Sequence, residues 1–176
     1  MESPEPIANL NSLDLLFESA PPPPGEKFLR FSLAGEDTVL IPVADIAGVS
    51  EVSASDILPV PDLPPFVLGV CSWRGEMLWV VDLADWLGRS PLQWEDAVQT
   101  SALAIFIESQ SQQLGLVVRD VYDIEYHDRA QIQSPPPGLF PEAAMPYLQG
   151  YMAAQASMVL SASALVNSSR LQGVAE

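Results

Sequence analysis

The run Phe66-Val67-Leu68-Gly69-Val70-Cys71-Ser72-Trp73-Arg74-Gly75-Glu76-Met77-Leu78-Trp79-Val80-Val81-Asp82-Leu83 decides how this chain is read. Apolar, β-branched and aromatic residues stand on both sides of Arg74-Gly75-Glu76, which predicts two strands joined by a turn. The second arm, Met77 to Val81, is apolar throughout, and a strand without polar alternation is covered on both faces. Asp82 then stands where a helix N-cap belongs, and Gly88 supplies a stop after one or two helical turns over Leu83 to Leu87.

The β pattern continues on either side of this run. Towards the N-terminus, Leu29, Phe31 and Leu33 alternate with Phe28, Arg30 and Ser32, Gly35-Glu36-Asp37 makes a turn, and Thr38 to Ile41 returns as a second strand. Val49 to Val52 is a third short strand, and Ile57 to Pro65 is a loop punctuated by Pro59, Pro61, Pro64 and Pro65. Towards the C-terminus, a polar linker (89–101) leads to a strand at Leu103 to Ile107. Turn chemistry at 108–113, a partner strand at Leu114 to Val118 and a further strand at Val121 to Tyr126 follow. Residues 128–147 read as a long proline-rich loop. Leu148 to Ala154 and Ser157 to Leu160 form a last hairpin, and Ser161 to Asn167 a helical turn. Two hairpin-led blocks predict a mainly β chain with two small β-barrels. Residues 1–26 hold six prolines and five acids and read as a flexible acidic tail. Its apolar spacing at Asn9 to Phe17 fits a frayed, solvated helix better than a docking helix, since one short helix is marginal in water.

Charge excludes whole classes of partner. With 23 Asp and Glu against 7 Lys and Arg, the 176-residue chain carries a formal net charge of -16. Such a chain repels phosphate backbones and anionic lipid surfaces, so neither nucleic acid nor direct membrane insertion is expected. No apolar run approaches the roughly 18 residues a spanning helix needs. Cys71 is the single cysteine, so no internal disulfide forms. The start, Met1-Glu2-Ser3-Pro4-Glu5, has no basic n-region or apolar h-region, and a cytoplasmic protein is expected.

Catalytic readings find little support. Gly69 to Trp73 superficially resembles a cysteine-protease segment, but a thiol nucleophile needs an imidazole beside it, and nothing orders the lone His127 toward Cys71. One His and one Cys do not make a zinc set, and Asp120, Asp123, Glu125 and Asp128 lack the spacing of a calcium loop. No nucleotide or hydrolase motif is present. The expectation is no catalytic residue, no metal and no cofactor. The tryptophans Trp73, Trp79, Trp86 and Trp94 lie close together in sequence, and four indoles overfill a small barrel. Some are expected to cover a groove or interface, where Trp and Arg dominate binding energy. Arg74 belongs to this cluster, expected to pair with Glu51, Glu76 or Asp82, to anchor an interface, or both.

The segment from Pro61 to Leu83 resembles the CheW family of adaptors that couple chemoreceptors to the histidine kinase CheA. Gly69, Arg74-Gly75 and Val80-Val81-Asp82-Leu83 match its "yvlGv-x-x-RG-x-x-xPVVDL" pattern, and Leu114 to Val121 is similar to its "vGlvVDrV" segment. The resemblance implies two SH3-like five-stranded β-barrels with short helices over 27–167, divided near 27–98 and 99–167, with a C-terminal tail at 168–176. It implies a methyl-accepting receptor's cytoplasmic hairpin and a CheA-type kinase as partners, with a response regulator as a further candidate. Residue by residue, it implies receptor contacts at Ile46, Arg74, Leu103 and Ile124, kinase contacts at Ile57, Leu58 and Gly69, and motif positions at Arg74, Gly75 and Asp82. Three positions depart from the pattern. Trp79 replaces a proline, Gly48 stands where a glutamate often pairs with the arginine, and Arg119-Asp120 reverses an Asp-Arg pair. The acidity, tryptophans and tail make the cyanobacterial adaptors of pilus-driven phototaxis a candidate branch. The implied role is a non-catalytic adaptor recruited from the cytoplasm to receptor arrays. The alternative is a CheW-like module that sequesters a kinase or response regulator without receptor coupling.

Overall fold

A computed structural model describes residues 24–33, 35, 37–92 and 101–173. Its strands are β1 (Glu26–Ser32), β2 (Thr38–Pro42), β3 (Ile46–Ser53), β4 (Val67–Trp73), β5 (Glu76–Asp82), β6 (Ser101–Ser109), β7 (Gln112–Val118), β8 (Asp120–His127), β9 (Ile132–Gln133), β10 (Leu148–Met152) and β11 (Ser157–Leu160). The helices are short: α1 (Leu83–Trp86), α2 (Ala162–Val166) and α3 (Ser169–Gln172). None is long and apolar enough to cross a membrane.

Local chemistry explains the turns. Arg74 and Gly75 have φ of 49° and 81°, and Gln110 and Ser111 have 52° and 64°. Positive φ at both central residues matches the right-handed twist of the flanking strands, which closes each hairpin with two residues. The turn expected over 108–113 is therefore only Gln110-Ser111, and β7 begins earlier than Leu114. Asp82 caps α1, accepting from the Asp85 amide, and Gly88 has φ 83° past its end. The residues read as unstructured loop between 128 and 147 contain β9 and two 3-10 turns, one at each end.

The strands form two sheets, in the orders β8-β1-β2-β11-β10-β9 and β3-β6-β7-β5-β4. Each is antiparallel apart from one parallel pair, β2 with β11 and β5 with β7. Both curl. In the five-stranded sheet the outer strands meet, since the Trp73 indole of β4 lies against Gly48 of β3. In the six-stranded sheet β8 leads through a single 3-10 turn at Arg129–Gln131 into β9, which joins the two edges through the chain. The resemblance implies five strands in each barrel; the sixth here is the two-residue β9. Each sheet draws strands from both sides of residue 98, so a cut there separates neither, because β1 with β8, β2 with β11, β3 with β6 and β5 with β7 all pair across it.

Strand alternation builds three apolar layers. Leu29, Phe31, Val39, Ile41, Val81, Ile105, Ile107, Leu116, Val118, Met158 and Leu160 meet in one core shared by the two sheets. Their neighbours point the other way: Val80, Ala104, Phe106 and Val117 fill the five-stranded sheet, and Phe28, Leu40 and Val159 the six-stranded one. Central strands thus bury both faces, which is why β5 and β6 read as continuous apolar runs. Met77 is the exception, 57% exposed near the start of β5. Past residue 167 the chain stays packed. Ser168 is buried and exchanges a 2.8 Å hydrogen bond with the Tyr147 hydroxyl, and the Arg170 guanidinium lies 4.3 Å over Phe66.

Candidate protein-interaction surfaces

Leu58 and Gly69 are brought together by the backbone. Leu58 bridges to Val70, its amide donating to the Val70 carbonyl (2.8 Å) and its carbonyl accepting from the Val70 amide in return (3.0 Å). This close approach requires Gly69. Its φ is 141°, and a Cβ there would collide with the Leu58 carbonyl oxygen. The Leu58 side chain is 61% exposed, while the neighbouring Ile57 is buried in the small core of the five-stranded sheet. Ile57 therefore supports this corner from beneath, and Leu58 presents it.

Ile46, Leu103 and Ile124 lie where the two sheets face each other. Ile46 is opposite Ile107, and Leu103 is opposite Val118. Directly opposed residues share a face, and both partners belong to the shared core. Ile46 and Leu103 are half-buried against that core, whereas Ile124, opposite Leu29 in β1, is 53% exposed. Val49, on the same face of β3 opposite Ile105, adds exposed apolar surface. The strand that carries Ile124 also carries Asp120, Asp123 and Glu125. Arg30 meets Glu125 at 3.0 Å and Asp123 at 3.7 Å, and Arg119 meets Asp120 at 3.7 Å, so the three acids share two arginines.

Arg74 departs from the sequence expectation. Among the described residues no carboxylate lies within ion-pair distance of it: Glu51, Glu76 and Asp82 are not its partners. Its guanidinium lies 4.3 Å over the Trp73 ring, which stacks at 4.3 Å and 10° on the buried Phe106. Gly48 makes this possible, since a Cβ there would come within 2.6 Å of the Trp73 ring. The position where the family often has a glutamate is thus occupied in space by the indole. The pairing was not legible locally, because Gly48, Trp73 and Phe106 lie on three different strands.

Asp82, the other motif position, is buried and structural. Its Oδ1 accepts from the Asp85 amide (3.2 Å) and its Oδ2 from the Leu92 amide (2.7 Å), which joins strand, helix and following loop. Burial raises its pKa, partly opposed by these hydrogen bonds. Trp79, at the family's proline, is half-buried and walls a cavity of about 250 Å³ with Leu114, Val166 and Leu171. Trp86 is fully buried, stacked on Phe66 at 5.0 Å. Trp94 lies outside the described residues, as does the N-terminal tail through Pro23. Of the three described tryptophans one is core and two are half-exposed, which divides the cluster between packing and surface.

No chemistry-bearing cluster assembles around the candidates considered for catalysis. Cys71 is buried in the five-stranded sheet, where burial and the Asp56 charge raise its thiol pKa, opposite to what a nucleophile needs. His127 is on the other sheet, 2.7 Å from Glu125. Among the described residues no three His, Cys, Asp or Glu side chains are arranged to hold a metal.

The architecture is that of a two-sheet β scaffold with apolar side chains exposed at the sheet junction and at the Leu58 corner. The chain belongs to the CheW-like domain family, whose model matches residues 27–170. Scaffolding within chemotaxis signalling is the general role of that family. Among solved structures, the chain is similar to the scaffolding protein TtCheW from Thermoanaerobacter tengcongensis, with a TM-score of 0.62 and 24% identity over 77% of this chain and 87% of that one. No curated protein matches the sequence.

Proposed function

We propose that the chain is a non-catalytic adaptor that holds a methyl-accepting receptor's cytoplasmic hairpin on one surface and a CheA-type histidine kinase on another. The receptor surface consists of Ile46, Leu103 and Ile124 at the sheet junction, with Arg74 beside β3. The kinase surface is the corner formed by Leu58 over Ile57 and Gly69. The observation that carries this reading is the exposure of Ile124 and Leu58 on two separate parts of a family scaffold. Large apolar side chains kept in water on rigid strands make preformed contact surfaces, and binding to them needs little ordering. Control of the kinase then lies in how it is held, without chemistry by this chain.

Co-purification with the receptor hairpin and the kinase tests the proposal. Ile124→Asp is expected to abolish receptor capture while kinase capture persists, and Leu58→Asp the reverse. Kinase capture without any receptor capture by the natural chain would favour the sequestering module instead. Capture of neither would end both readings.

A further inference from the structure

The chain has seven Lys and Arg residues, and Arg74 differs from the other arginines. Arg30, Arg89, Arg119 and Arg129 each meet a carboxylate, and Arg170 donates to the Trp86 carbonyl. Among the described arginines Arg74 alone meets no carboxylate and donates to no protein acceptor, in a chain with 23 acids. It is held by its face, over Trp73, on a stack whose base is the fully buried Phe106. Trp73 in turn sits in the notch of Gly48. Stacking fixes the plane of a guanidinium and leaves its N–H edge open. An arginine paired with its own glutamate would have that edge occupied.

We infer that Trp73 is the positioning residue for Arg74, and that the guanidinium edge it leaves open takes a carboxylate of the partner hairpin. The inference rests on the reading of Arg74 as receptor-facing, and adds how it is held and what it binds. Arg74 is exposed here, and once a partner covers it the guanidinium needs acceptors, which a carboxylate supplies to its planar fork through two parallel bonds. Glu51 and Glu76 flank this part of the surface and are exposed, so a bare acidic segment is repelled. The partner therefore presents one carboxylate within an otherwise apolar or basic stretch.

Two measurements on the full chain test this. In the first, the Arg74 Nε–Hε resonance, assigned by its loss in Arg74→Lys, is expected to show a ring-current shift. The shift persists in Trp73→Phe and disappears in Trp73→Leu and Gly48→Ala, while backbone spectra confirm that each variant is folded. A shift that survives both Trp73→Leu and Gly48→Ala overturns the positioning role without touching the adaptor reading. In the second, affinity for the purified receptor hairpin is expected to fall about tenfold in Arg74→Ala, in keeping with a desolvated charge pair. Trp73→Leu should fall nearly as far, the double variant no further, and Trp73→Phe much less. Neutralising the hairpin's acidic residues one at a time, Glu→Gln or Asp→Asn, should expose one whose loss has no added effect in Arg74→Ala. Full affinity in Trp73→Leu with loss in Arg74→Ala refutes the inference alone, as does the absence of any such coupled acid. Unchanged affinity in Arg74→Ala refutes the receptor role of Arg74 as well.

Discussion

Asp82 shows how a signature residue can be structural. Its two oxygens serve two backbone amides from different segments, so Asp82→Ala should cost about 1–2 kcal/mol, measured by urea denaturation. The pH dependence has a definite sign. The folded pKa is raised, so the folded state takes up the proton more readily than the unfolded one. Asp82's contribution is thus fully present below the unfolded value of about 4 and diminishes as pH rises through the folded pKa. The stability difference between the natural chain and Asp82→Asn should narrow in the same direction, and a difference that widens with pH would contradict this. Gly69 makes a different prediction. Gly69→Ala places a Cβ against the Leu58 carbonyl at φ 141°, at a cost of about 2 kcal/mol or more. Hydrogen exchange at the Leu58 and Val70 amides should lose its protection first, because each donates to the other residue's carbonyl across that contact.

At the scale of elements, the hairpins and caps were legible because their signals are local. Alternation around Phe28 to Leu33, the glycine after Arg74 and the aspartate before Leu83 each act within a few residues. Strand ends were less so: β3 begins at Ile46 and not Val49, because pairing with Ile107 extends it. The short β9 has no periodicity of its own and exists only through its pairing with β10. The C-terminal helix α3 was likewise hidden in a presumed tail. Ser168 caps it and bonds Tyr147, while Arg170 stacks on Phe66 and donates to the Trp86 carbonyl at 3.3 Å. Truncation after Asn167 should therefore destabilise the protein by about 2 kcal/mol, from one buried hydrogen bond and one partly desolvated stack. An unchanged urea midpoint would show that the domain ends at 167.

For the molecule as a whole, the net charge of -16 becomes a statement about association. The charge acts over the whole molecule, and Asp123 and Glu125 adjoin Ile124 along β8 with their side chains on the strand's other face, so a cognate partner carries basic residues, and its association rate should fall steeply between low and physiological salt. A rate independent of salt would remove charge from the account of partner choice, leaving the apolar contacts.

The sequence by itself determined the β class, the hairpins, the capped turn after Asp82 and the family, because these depend on residue periodicity and short-range spacing. It also determined the net charge. Tertiary structure decided what no local signal carries: which strands share a sheet, that β2 and β11 and β5 and β7 run parallel, and that one core lies between the sheets. It also decided the partner of Arg74. The sequence offered three carboxylates, but the curl of the five-stranded sheet brings Trp73 against Gly48, and the arginine lies on the ring. A contact between strands follows from sheet closure, which residues adjacent in sequence do not encode.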